Sequence, residues 1–388
     1  MKKILFIFLI SISSLSAQNA ANLFFNANGG RAAALGNAYT ALSEEVLALA
    51  WNPGGLGYLR SYASSVVGRF GFGNSTITGF EQHGIDSWNV DLDSWTQLNF
   101  IGVVVPFEIK DVNGGAGLAF RRIYNLTKEQ KHEIKTSEGD TYSYYDNSDG
   151  GIDAFTLAVG VRVHKTVSLG LTLNYLLGSV DGFKNLNINN QNDPSNYITY
   201  HNQYSGFSAE VGVMAKPMDL FSLGAHFIIP YTVTEDTAGS GSVELGVPMS
   251  YSLGLAVFPT DYLVFSLDFR NQPISSVTVN GINLKSLYGT EDTYSFHVGG
   301  EWQTEKMAYR LGYYKSKETK NILNPDQVFT GGVGIKFGTF IINAALEYTS
   351  TEIKDNFDHL DDELIPYTQN ASVWRVTVGA QVYFYGAF

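Results

Sequence analysis

The chain has 388 residues, a formal net charge of −12, no cysteine, 40 glycines, 14% aromatic residues and only 16% charged ones. Without cysteine there is no disulfide framework, thiolate metal site or cysteine nucleophile, and the acidic balance argues against nucleic acid, whose phosphates attract basic surfaces. Charge well below the roughly 25% of ordinary soluble domains, at a mean hydropathy of −0.04, suits a wall with one face to lipid and the other to water.

The amino terminus runs Met1-Lys2-Lys3, then an apolar stretch over residues 4–10, then small and polar residues to Ala17. This reads as a secretory signal peptide, residues 1–17, cleaved before Gln18. No later segment offers the eighteen or so uninterrupted apolar residues of a spanning helix.

Residues 18–60 are rich in Ala and Gly and carry a helical rather than a two-residue period. Ser43 suits a helix N-cap, Glu44 and Glu45 complement its positive end, and Pro53 drives Asn52 out of the helical region and ends it. Small residues on both sides permit close packing, so this segment is expected to form a partly helical plug in the lumen of a barrel.

From residue 61 to Phe388 apolar residues recur at every second position in runs of about ten, the mark of a transmembrane β-barrel. The clearest run is Val167, Leu169, Leu171, Leu173, Tyr175 and Leu177, with Ser168, Gly170, Thr172 and Asn174 between. Runs start near Tyr62, Trp95, Gly114, Asp153, Thr166, Gln203, Asp219, Pro248, Asp261, Glu291, Lys306, Gln327, Thr339 and Ser372, about fourteen, an even number as single-chain outer-membrane barrels have. The fold class is therefore all-β: an antiparallel barrel of about fourteen strands with an N-terminal partly helical hatch. Short and long connections alternate strictly, which places short turns on one rim and long loops on the other. By the usual asymmetry the short turns are periplasmic and the long loops extracellular. Parity turns Asp268, Arg270, Glu301 and Arg375 to the lumen and leaves Tyr62, Trp302, Tyr313 and Tyr383 for aromatic girdles. The terminal Phe388 falls on the lipid-facing parity.

The stretch over residues 29–57, with Gly36-Asn37-Ala38, the acidic pair Glu44-Glu45 and Asn52-Pro53-Gly54-Gly55-Leu56, resembles the amino-terminal hatch of the FadL family of outer-membrane transporters, especially its PorV/PorQ branch. Where FadL relatives read Asn-Pro-Ala, this chain has Gly54 after Pro53. The resemblance implies one of two activities. FadL-type barrels pass long-chain fatty acids or aromatic hydrocarbons through a hatch-gated lumen and out sideways through the wall. PorV-type barrels bind cargo in type IX secretion and deliver it to a surface-attachment complex. The expected partners are outer-membrane lipid and either a hydrophobic small molecule or secretion-system proteins. Transport is the first reading, secretion the alternative.

The resemblance also points to Gly114, Gly115 and Gly117, where the FadL wall is kinked; they form either a lateral opening or, from Asn113-Gly114, an ordinary hairpin turn. Asn52 and Pro53, with Gly54 and Gly55, make either a hatch hinge or a helix cap. Arg31, the sole cation in residues 18–59, either neutralises a carboxylate ligand or pairs with Glu44, Glu45 or a wall carboxylate such as Glu301; a desolvated charge needs a permanent partner, which favours pairing. The seven histidines are scattered, no serine sits in a nucleophile elbow, and the acidic stretches 146–149 and 358–362 lack EF-hand spacing. No enzyme, cofactor or metal is expected.

Overall fold

The computed structural model describes residues 29–137, 139–188, 197–237, 239, 241–317, 327–358 and 364–384. The expected signal peptide, the first residues of the hatch, the acidic stretch beyond Asp358 and the terminal Phe388 lie outside the described residues. The chain folds as a closed antiparallel barrel of fourteen wall strands. In chain order the wall is β1 (Tyr62–Thr78), β2 (Ile85–Ile109), β3 (Val112–Asn125), β5 (Thr141–His164), β6 (Val167–Ile188), β7 (Tyr197–Met218), β8 (Phe221–Ile228), β11 (Ser250–Thr260), β12 (Leu263–Gln272), β15 (Thr293–Gln303), β16 (Met307–Ser316), β17 (Gln327–Phe337), β18 (Phe340–Asp358) and β19 (Leu364–Phe384). Closure is made by β1 against β19, from Tyr62↔Phe384 to Thr78↔Thr368. Five further strands lie in the long connections: β4 (Lys128–Thr136), β9 (Tyr231–Thr237), β10 (Gly241–Val247), β13 (Thr278–Val279) and β14 (Ile282–Asn283).

Each wall strand begins within a few residues of a run legible in the sequence, except where it reaches past the apolar belt. Parity explains the agreement. On β6 Leu169, Leu171, Leu173 and Tyr175 are exposed on the outer face, while Ser168, Thr172 and Asn174 are buried inside. Asp268, Arg270 and Glu301 point inward and are buried; an Arg at the lipid midplane would cost about 2–4 kcal/mol. Trp302, 56% exposed, faces outward as expected. Tyr383 does not: it lies on the lumen parity and packs against the core formed by the hatch. A girdle position and a lumen position look alike for a tyrosine near a strand end, because its ring suits apolar contact and its hydroxyl needs only one partner, here the Gln381 amide at 2.8 Å.

A row of outward aromatic contacts marks the upper edge of the apolar belt, including Phe120–Phe155 at 5.4 Å, Tyr175–Phe207 at 5.0 Å, Phe269–Phe296 at 5.2 Å and Tyr348–Trp374 at 4.4 Å between ring centroids. The wall is lopsided about this row. On the arc from β8 to β17 the strands stop within three residues of it. On the other arc they continue; β5 reaches from Phe155 back to Thr141, about 45 Å at roughly 3.3 Å per residue. This tall sheet carries its own apolar cluster of Ile77, Phe80, Ile85, Trp88, Val90, Ile134 and Tyr142. The long connections of the sequence at residues 73–94, 125–152 and 180–202 are thus, among their described residues, largely strand.

The main core is inside the barrel. Leu35, Tyr39, Leu42, Val46, Leu49, Trp51 and Leu56 from the hatch pack on Val67, Phe100, Val104 and Val264 from the wall. The hatch contains short helices at Gly30–Ala34 and Ala48–Trp51 and a 3-10 helix at Pro53–Tyr58. It fills the half of the lumen next to the short turns.

Candidate functional site in the lumen

The hatch is held by hydrogen bonds to buried wall groups on several sides. Arg31 forms a two-pronged pair with Glu301, Nε to Oε2 at 2.9 Å and Nη2 to Oε1 at 2.7 Å. Glu301, with a fully buried side chain, also accepts from Arg310 Nε, and Arg310 donates its other prong to Asn343 Oδ1 at 2.9 Å. Of the carboxylates open to Arg31 in the sequence, on the hatch or on the wall, the structure pairs it with Glu301. Tyr39 donates its hydroxyl to Glu45. Burial, then the Glu45 charge, push the Tyr39 phenol well above its ordinary range, so it stays a donor.

A second anchor is Asp268 on β12. Its Oδ2 accepts from the backbone N of Tyr39 and Thr40, each at 3.0 Å, and from Thr40 Oγ1 at 2.6 Å. The hatch loop therefore gives one oxygen of a wall carboxylate three donors, which offsets part of its desolvation. Gly36 and Asn37 make this possible: both hold positive φ, 63° and 61°. Around that turn Thr330 Oγ1 accepts from Gly36 N at 3.0 Å and donates to Ala34 O at 2.9 Å. The His297 ring meets Gly36 O at 2.7 Å.

Asn52 is the third anchor. Its Oδ1 accepts from Gly54 N at 3.0 Å, and its Nδ2 donates to Thr40 O at 2.9 Å and to Val213 O on β7 at 3.0 Å. It caps the 3-10 helix, with Pro53 at its first turn, and also ties the hatch to the wall. Gly54 and Gly55 are required by close approach. A Cβ on Gly55 would lie 1.5 Å from Ser43 O, and one on Gly54 would lie 2.8 Å from Met214 N.

The wall glycines answer those of the hatch. A Cβ on Gly115 would stand 2.7 Å from Leu56 O, and one on Gly117 would crowd Val103 O at 2.5 Å and Leu49 Cδ2 at 2.9 Å. The ladder runs unbroken through them, with Gly114, Gly115 and Gly117 opposite Phe107, Pro106 and Val104 on β2 and opposite Val161, Gly160 and Ala158 on β5. In this structure Gly115 and Gly117 seat the hatch, Gly114 packs against Phe107 and Gly160 of the neighbouring strands, and none of the three opens a gap. The interruption lies further along. β2 pairs with β3 from Phe100↔Arg121 to Ile109↔Val112 and with β4 from Ile85↔Thr136 to Leu92↔Gln130. Between these ladders, among the described residues, 93–99 make no pairing on that edge.

Above the hatch, on the long-loop side, is a cavity of about 80 Å³ lined by residues that include Trp51, Arg121, Ile123, Tyr124, Tyr231 and Arg270. Its polar lining is internally paired. Arg121 bonds Glu210, Thr156 Oγ1 at 3.1 Å, Asn174 Oδ1 at 3.1 Å and Ala50 O at 3.2 Å. The His226 ring meets Glu210 Oε2 at 2.9 Å. The Arg270 guanidinium lies 4.7 Å from the Trp51 ring centre. Ile123 and Tyr124 belong to the stretch of β3 that faces the unpaired edge of β2. Among the described residues no group of His, Asp and Glu is arranged to hold a metal ion; Asp149 accepts from Thr127 Oγ1 at 3.1 Å.

The sequence reading named Arg31, Asn52 and the glycines but missed Asp268 as a hatch anchor and the Arg121–Glu210–His226 cluster. Inward parity flagged Asp268; for the cluster, the available signal was the same parity on β3, β7 and β8.

A family model described as BamG matches residues 61–226, less than half of the chain. No curated protein sequence matches the chain. Solved structures of similar shape include the Pseudomonas putida toluene transporter TodX, with 13% identity over 93% of this chain and 100% of that one and a TM-score of 0.66. A FadL homologue of Pseudomonas aeruginosa has 12% identity over 93% and 99% of the two chains, with a TM-score of 0.63. The Ralstonia pickettii toluene transporter TbuX has 15% identity over 92% and 98%, with a TM-score of 0.62. The chain is an outer-membrane-type β-barrel with the fold of the FadL-type channels.

Proposed function

We propose that this barrel admits small hydrophobic molecules across the outer membrane, with the hatch as its gate, the long loops extracellular and the short turns periplasmic. The observation that carries the reading is the cavity that Trp51, Tyr124 and Tyr231 line together with paired charged groups, directly on the long-loop side of a hatch that fills the short-turn half of the lumen. Trp51 forms the hatch side of that cavity and Tyr124, Tyr231, Ile123 and Ile228 lie around it. At about 80 Å³ it is smaller than the roughly 150 Å³ that accommodates benzene in an engineered cavity. On this reading, entry of a ring-sized solute needs Trp51 or its helix to move. The unpaired edge of β2, beside Ile123 and Tyr124, supplies a sideways exit at the level of the aromatic row. The similar structures named as toluene transporters support the same solute class. No observation favours the secretion reading.

The test is uptake of radiolabelled toluene and of a long-chain fatty acid by cells producing the chain, against cells producing it with Ile123→Asp and Ile228→Asp. Uptake above background that the two charges abolish supports the proposal. Equal uptake of every hydrophobic probe with and without the chain overturns it.

A further inference from the structure

The outer face of the barrel is not evenly filled. Over β12 and β15–β18 it sinks into an apolar groove of about 1140 Å³, rimmed by Phe265, Trp302, Tyr309, Leu311 and Leu346, with Gly300, Gly331 and Ala344 as its floor. That volume exceeds the roughly 300–1,000 Å³ of small-molecule pockets.

The wall here has glycines of two kinds. A Cβ on the inward Gly299, Gly312 or Gly332 would lie 2.5, 2.1 or 2.4 Å from backbone atoms of the hatch or a neighbouring strand. Those positions are glycine because the hatch and the ladder leave no room. On the outward Gly300 and Gly331 the nearest atoms would be Phe265 at 3.7 Å and Leu311 at 3.5 Å, an ordinary van der Waals distance. Nothing within the chain requires glycine at 300 and 331, and a strand interior disfavours it. The space they leave is available to something outside the chain.

The surroundings define its chemistry. The groove faces the hydrocarbon, so its occupant is a lipid or another membrane-embedded surface. At its short-turn end Trp302 and Tyr309 stack with centroids 5.5 Å apart, the residue types that mark a headgroup boundary. Beyond them Lys306 ends the short turn between β15 and β16, and Lys336, next to the last residue of β17, donates its backbone N to Lys306 O at 2.9 Å. Both are exposed, with Glu305 the neighbouring acid. Lysine stems extend along apolar surface while the ammonium reaches a phosphate. We propose that the groove holds one anionic glycerophospholipid of the leaflet at the short-turn rim, its acyl chains over Gly300 and Gly331 and its headgroup at Lys306 and Lys336.

The test is native mass spectrometry of the full chain in mild detergent with phosphatidylglycerol or phosphatidylethanolamine added. The unaltered protein should retain one phosphatidylglycerol in preference to phosphatidylethanolamine. Gly300→Leu with Gly331→Leu, whose added Cβ atoms meet the chain only at ordinary van der Waals distance, should lose that lipid. Ala209→Leu, on the same outer face of β7 as Phe207, should keep it. Lys306→Gln with Lys336→Gln should keep a lipid and lose the headgroup preference, a readout that stands even where the double leucine variant fails to fold. Equal retention in the filled and unaltered proteins, or equal retention of the two headgroups by the unaltered protein, overturns the proposal. So does a co-purifying protein that the leucines displace in place of lipid.

Discussion

At the scale of single residues the hatch depends on polar groups that water cannot reach. Glu301 faces two guanidiniums, so its loss and the loss of Arg31 differ in kind. Arg31→Ala leaves Glu301 paired with Arg310, and the cost should be about 1–3 kcal/mol for the lost charged hydrogen bonds. Glu301→Ala strands Arg31 and Arg310 together in the lumen, and breaking a buried pair in this way costs about 3–5 kcal/mol. Thermal loss of the heat-modifiable gel band should therefore come earlier for Glu301→Ala than for Arg31→Ala; the reverse order would place the charge balance elsewhere. Asn52 allows a sharper comparison. Asn52→Ala removes three hydrogen bonds. Asn52→Asp keeps the bond from Gly54 N but sets a carboxylate oxygen against the carbonyls of Thr40 and Val213, now at 2.9 and 3.0 Å from a donor. Limited proteolysis of the hatch should be faster for Asp than for Ala, although Asp is the closer match in shape.

Among elements, the hatch and wall approach so closely that backbone meets backbone. Gly212 on β7 would put a Cβ 2.2 Å from Asn52 Oδ1, and Gly170 on β6 would put one 2.2 Å from the Pro53 carbonyl carbon. Gly170→Ala or Gly212→Ala should release the hatch to protease while the barrel still migrates as a folded band, whereas Gly331→Ala on the outer face should leave both unchanged. Loss of the folded band in the inward variants would show that hatch and wall do not separate. This contrast also shows what was legible in the sequence. Strand positions were, because lipid on one side and lumen on the other force a two-residue period within the belt. The purpose of Gly115 and Gly117 was not, because glycine reads the same whether it bends a strand or admits a neighbour. Nor was the Arg31 partner, since Arg31 and Glu301 lie 270 positions apart and meet only when the barrel closes around the hatch. The length of β2 and β5 escaped for the opposite reason: beyond the aromatic row no lipid imposes parity, and a strand there looks like a polar loop.

For the whole molecule, the lopsided wall separates two structures that share strands. Below the aromatic row, the hatch anchors at Glu301, Asp268 and Asn52 and the closing β1–β19 ladder hold the barrel together. Above it, the tall sheet rests on the cluster around Phe80 and Trp88, where Phe80 lies 5.7 Å from the Trp88 ring and 5.8 Å from that of Tyr367. The two should respond independently to deletion. Leu126 N donates to Gly150 O at 3.1 Å, so removing residues 127–149 and joining these ends takes away β4 and the outer part of β5 while keeping the ends of the hairpin in register. The shortened chain should retain the heat-modifiable band and a protease-resistant hatch, because no anchor is touched. Its Trp88 should become accessible to a water-soluble quencher, because the β4 and β5 residues covering it, Ile134 and Tyr142, have gone. If the shortened chain instead failed to form a barrel at all, the tall sheet would have to be part of what closes the wall, and the apolar belt with its hatch would not suffice.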